Sequence, residues 1–91
     1  MADPTPIDQD PREARRERYQ SQRERGAANV RRVMDEKGMS RRQLSFDSGL
    51  DRAFLLRFER DAGNISIDAL FALAEALEVD VREFFRDQSA E

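Results

Sequence analysis

The run Gly38-Met39-Ser40-Arg41-Arg42-Gln43-Leu44-Ser45-Phe46-Asp47-Ser48-Gly49-Leu50-Asp51-Arg52-Ala53-Phe54-Leu55-Leu56-Arg57-Phe58-Glu59-Arg60 encodes two short helices with a sharp bend between them. Ser40 is a good N-cap, and Gln43 three residues on completes a capping box. The helix it opens spans 41–48, with Leu44, Ser45 and Ser48 as inward or close-packing positions, and the small serines let another helix approach. Gly49 supplies the left-handed conformation that a tight turn demands. Leu50 plugs the junction. Asp51 caps the next helix, which runs to about Arg60 with Leu55 and Phe58 inward and Phe54 at the edge. Its outward side chains are basic.

Working outward, Val30, Val33 and Met34 fall at i, i+3, i+4, the pattern of an amphipathic helix stopped by Gly38. Downstream, Asp61-Ala62-Gly63-Asn64 reads as a loop. Ser66 then caps a helix in which Leu70, Leu73, Ala74 and Leu77 form the inward stripe. Val79-Asp80-Val81 leads to a last turn ending in Phe84-Phe85. The expectation is an all-α fold of five short helices over 26–87, with no strand signal and no internal repeat.

The 25 residues ahead of this domain read differently. Residues 1–11 hold three Pro and three Asp and are expected to be disordered. Residues 12–25 are rich in Arg, Glu and Gln, with Tyr19 as the sole large apolar side chain. They make either a polar helix continuing into the first amphipathic helix or a mobile arm, and Gly26 weakens the junction.

Composition removes whole classes of function. At 91 residues the chain has no Cys and no His, which excludes disulfides, thiolate nucleophiles, imidazole bases and nearly all zinc chemistry. Glu75 and Glu78 share a helix face, but no nucleophile, Gly-rich phosphate loop or metal cluster accompanies them, so no enzyme activity and no cofactor are expected. No apolar run approaches the roughly 20 residues of a membrane span, and no signal peptide opens the chain; the expected location is the cytoplasm. The net charge of −3 is unevenly spread: −3 over 1–11, +3 over 12–25, +3 over 26–60 and −6 over 61–91. A basic face beside an acidic end is compatible with polyanion binding. Two helices at a tight turn with basic side chains on the second can present a short helix to the major groove of DNA.

From Val30 to Phe85 the chain resembles the phage-repressor/Cro-like (Xre-type) helix-turn-helix family. Glu36-Lys37-Gly38-Met39-Ser40, Gly49-Leu50-Asp51-Arg52 and Phe58-Glu59-Arg60 look like the controller proteins of restriction–modification systems, which are small dimeric transcription regulators. Ile65-Ser66-Ile67-Asp68, Leu77-Glu78-Val79 and Phe84-Phe85 match the family's fourth and fifth helices. The resemblance implies a homodimer that binds double-stranded DNA, with half-sites about 34 Å apart. It puts Ser40 and Arg41 on the DNA backbone, where most members have Gln in place of Arg41. It puts Asp51, Arg52 and Ala53 at base edges, Asp51 chiefly as the cap, and Arg57 near phosphate or bases. Arg52 suits guanine because its fork reaches O6 and N7 together. Leu56 replaces the family's usual small polar residue and faces either a thymine methyl or a protein. The family's Glu59 pairs with an Arg on the first helix; here that position is Met34, with Arg31 a substitute.

Arg41, Arg42, Arg52 and Arg57 also fit a merely solvated surface, and residues 12–25 fit either an arm along phosphates or a salt-bridged extension. Phe71, Phe84 and Phe85 have two readings as well. One of the pair Phe84/Phe85 closes the core, or Phe71 with one of that pair forms a twofold interface. The competing class of function is a protein-interaction module, antitoxin-like or an adaptor, with little or no DNA binding.

Overall fold

The computed structural model describes residues 10–87, and over these the chain forms four α-helices and a terminal 3-10 helix, with no strand among the described residues. Helix α1 spans Pro11–Lys37, α2 Arg41–Ser48, α3 Arg52–Asp61 and α4 Ile67–Leu77; the 3-10 helix η1 spans Val81–Phe85. The fifth expected helix is thus the tighter 3-10 form. The expectation of disorder for residues 1–11 lies outside the described residues except at its end, where Asp10 and Pro11 begin a helix.

Segment 12–25 joins the expected first helix in one continuous rod of 27 residues, running straight through Gly26. Asp10 starts it, its carboxylate accepting the Arg12 N–H at 2.9 Å, with Pro11 at N1, where a missing N–H costs nothing. Gly38 ends it at φ 65°, and the Met39 N–H reaches back to the Met34 carbonyl at 3.0 Å. Tertiary contacts hold the polar half. Arg23 Nε donates to the Ala62 carbonyl at 3.0 Å and Gln20 Nε2 to the Asp61 carbonyl at 3.3 Å.

One core serves all the elements: Ala27, Val30, Val33 and Met34 of α1, Leu44 of α2, Leu55 and Phe58 of α3, Leu73, Ala74 and Leu77 of α4, and Phe84. Asn29 is the one buried polar residue among the described residues. Its amide donates to the carbonyls of Phe84 (3.1 Å) and Arg86 (2.8 Å), fastening the C-terminal segment against α1. A buried amide without those partners would cost about 1–3 kcal/mol.

Candidate nucleic-acid interface

The α2–α3 pair is built by local chemistry. Ser40 Oγ accepts the Gln43 N–H at 3.1 Å to open α2, and Gly49 closes it at φ 75°. Both serines of α2 then hold the turn: Ser48 Oγ accepts the Leu50 N–H at 3.2 Å, and Ser45 Oγ donates to the Leu50 carbonyl. Their spacing alone suggests small packing residues; their hydroxyls also satisfy the backbone of the bend. Asp51 Oδ1 accepts the Ala53 N–H at 3.0 Å, so its carboxylate is engaged in capping α3.

Leu44, Leu55 and Phe58 bury the inner faces. What remains outside on α3 is Arg52, Ala53, Leu56, Arg57 and Arg60, a helical stripe that is exposed throughout. On α2, Ser40, Arg42, Gln43 and Phe46 line one shallow recess. Arg42, Arg52 and Arg57 form no ion pair with any described residue. Three guanidinium groups are therefore presented to solvent on a rigid, fully capped pair of helices. Arg57 shares a second recess with Phe54, Phe58, Asp61, Gly63 and Asn64.

Arg41, at the start of α2, is ion-paired within the unit. Its Nε and Nη2 donate to the two oxygens of Glu59 at 2.7 and 3.0 Å, a bidentate bridge from the start of α2 to the end of α3. The Glu59 hydrogen bonds and charge hold the Arg41 guanidinium above its ordinary pKa. Arg31 meets the same residue at its backbone, Nη1 donating to the Glu59 carbonyl at 2.6 Å. So Glu59 keeps an arginine partner although Met34 stands at the first-helix position, and Arg41 supplies it from 18 residues away.

The three phenylalanines part company. Phe84 is completely buried and closes the core, so it has no surface to offer an interface. Phe71 (50% exposed) and Phe85 (58%) stand in solvent, as does Ile67 (64%). Phe46, at 83% the most exposed large apolar side chain among the described residues, is absent from the residues that the sequence points to; its i+4 spacing from Arg42 is the available signal. Among the described residues no helix is long and apolar enough to cross a membrane, and no group of three metal-ligating side chains gathers.

A short two-helix unit of this kind, capped at each end and packed on a helical core, has the form of a helix-turn-helix. The sequence model of the helix-turn-helix family matches residues 30–84, and the chain belongs to that family, in its Xre-like branch of DNA-binding regulators. No curated protein matches the chain. Among solved structures it is similar to the restriction–modification controller protein C.AhdI from Aeromonas hydrophila, with 34% identity over 71% of this chain and 98% of that one and a TM-score of 0.67. A hypothetical transcription factor, NHTF from Neisseria, matches at 29% identity over 76% of this chain and 79% of that one, TM-score 0.70. The controller C.Esp1396I, in a structure of its nucleoprotein complex, matches at 25% identity over 71% of this chain and 95% of that one, TM-score 0.62.

Proposed function

We propose that this chain is a homodimeric transcription regulator that reads a (pseudo)palindromic duplex site with α3 in the major groove. The carrying observation is the set of guanidinium groups of Arg42, Arg52 and Arg57, ion-paired with no described residue, on the exposed side of the α2–α3 unit. Arg52 and Ala53, in the first turn of α3, face base edges; Ser40 and Arg42, at the start of α2, hold phosphates; Arg57 contacts phosphate or base further along. Similarity to a controller solved in a nucleoprotein complex supports this reading. Phe71 and Phe85 join the two subunits, the acidic C-terminal segment lying at the twofold and away from the phosphates. Selection of bound fragments from random duplex DNA tests it. A recovered palindromic site with half-sites about 34 Å apart is expected, and failure to enrich any sequence refutes it.

One observation favours the second reading, a protein-docking module: Phe46 and Leu56 (44% exposed) put apolar surface on the same unit. Duplex binding that weakens steeply with salt separates the two, because only phosphate contacts release condensed counterions.

A further inference from the structure

The polar half of α1 lies N-terminal to the matched residues 30–84. At about 100° per residue, its side chains sort sharply around the helix axis. Within about 60° of Tyr19 lie Arg12, Arg15, Arg16, Gln22, Arg23 and Gly26, while Glu13, Glu17 and Glu24 all fall at about 120–160°, on the back. Four of the six arginines of this segment thus share the Tyr19 face, which contains no acid, while Arg18 and Arg25 lie on one flank and Glu13 and Glu17 adjoin Arg16 and Arg23 in a recess along the other.

That face is not idle in its second half. Tyr19, Gln22, Arg23 and Gly26 form one wall of a groove of about 280 Å³, whose other wall includes Ile65, Leu70 and Phe85. Tyr19 is 53% exposed and Phe85 58%. One or two turns earlier the same face becomes Arg12, Arg15 and Arg16, of which Arg15 and Arg16 form no ion pair with any described residue. Nearby, α4 turns the opposite character outward. Ile67, Asp68, Phe71 and Glu75 share its exposed face, and Glu78 follows in line. Asp68, Glu75 and Glu78 likewise form no ion pair with a described residue.

We propose that the occupant of this surface is a second copy of the chain: the Arg12–Tyr19 segment of each protomer lies along the acidic outer face of its partner's α4. A twofold interface must be self-complementary, each patch meeting its own copy. Here the groove lined by Tyr19, Leu70 and Phe85 joins α1, which carries the basic extension, to α4, which carries the acidic face; a twofold that sets each extension against the partner's α4 pairs basic with acidic on both sides. The extension thereby adds to a dimer whose core is the Phe71 and Phe85 contact. This rests on the homodimer reading above and adds to it the part the arm plays.

The test uses the full chain with R15E/R16E, E75R/E78R and their equimolar mixture, followed by sedimentation across salt concentrations, with circular dichroism confirming helicity. Each variant alone is expected to raise the dimer dissociation constant at least tenfold in low salt, with the difference shrinking as salt rises. The mixture is expected to restore association as a heterodimer. A wild-type dimer unaffected by R15E/R16E overturns this proposal and leaves the homodimer reading standing. A wild-type chain monomeric at every concentration overturns both. If dimerisation is unchanged but duplex affinity falls with a shallower salt slope, the arm belongs to DNA and the proposal is likewise wrong.

Discussion

Replacing Arg41 by alanine removes the bidentate bridge between α2 and α3 without touching either cap. A charge-assisted hydrogen bond contributes about 1.5–3 kcal/mol, and an exposed ion pair about 0.2–1 kcal/mol. The Arg41–Glu59 pair falls between these, since the Glu59 side chain is 10% exposed and that of Arg41 39%. The expected loss is about 1–2 kcal/mol, and the unfolding midpoint should fall by roughly 4–8 °C for each kcal/mol in a domain of this size. Thermal unfolding followed by circular dichroism measures it, and a cycle with Glu59→Gln should return most of the loss as coupling between the two residues. DNA titrations across salt give the complementary result. Because the guanidinium is committed to Glu59, Arg41→Ala should leave the salt slope unchanged, whereas Arg42→Ala should lower it by about 0.9. If Arg41→Ala shifted the slope by that amount and left the unfolding midpoint alone, Arg41 would be a phosphate ligand and the bridging role would be wrong.

Arg52→Ala should cost about 1–3 kcal/mol of duplex affinity and relax preference at one base position, read by titrating a panel of single-base operator variants. Phe84→Ala should lose about 3–5 kcal/mol in urea unfolding, because the ring is wholly enclosed; Phe85→Ala should instead weaken self-association, seen by sedimentation. Gly26→Ala should stabilise the fold by up to about 1 kcal/mol, since a Cβ there would stand an ordinary 3.8 Å from the Phe84 carbonyl while improving helix propensity; a destabilised variant would show that α1 is not continuous there. Asp80 is held below its ordinary value of 3.8 by the Arg82 backbone N–H and then by its guanidinium, and Asp10 likewise by Arg12. Glu83 is held below 4.5 by hydrogen bonds from Arg32 and Arg86. Lowered folded values mean stability that is fully present above the ordinary carboxylate range and is lost as pH falls from there through the lower folded values. The thermal midpoint should therefore drop on acidification below about pH 4, and Asp80→Asn, which keeps a capping oxygen, should make that drop shallower.

What the sequence revealed and what it withheld divide by distance along the chain. Ser40, Asp51 and Ser66 are caps because each side chain meets a backbone N–H two or three residues on, and such chemistry is visible in a window of a few letters. Gly38 and Gly49 announce left-handed turns for the same reason, whereas Ala62 (φ 50°) and Glu78 (φ 59°) take the same conformation with no such signal. Apolar spacing placed Leu44, Leu55, Phe58, Leu73 and Leu77 inside, but could not separate Phe84 from Phe85, because a single 3-10 turn is too short to show a period. The pairings that finish the site and the fold span the chain: Arg41 to Glu59, Asn29 to the Phe84 carbonyl 55 residues on, Arg23 to Ala62. No local pattern encodes those.

The arm shows the same limit from the other side. Summed along the chain, the acids of residues 12–25 dilute its arginines and make it look like an ordinary solvated extension. That dilution assumes a flexible chain, in which Glu13 and Glu17 would sit near every neighbouring arginine. Once the segment is one helix with the rest of α1, Glu13 and Glu17 meet only the Arg16 and Arg23 edge and leave Arg12 and Arg15 beside Tyr19 with no acid on their face, so net charge ceases to describe what a partner would meet. Fixing its position through Gln20 and Arg23 then leaves the Tyr19 face in register with the groove at Phe85. Continuity through Gly26 is thus what converts a segment of mixed charge, net +3, into a directed basic surface.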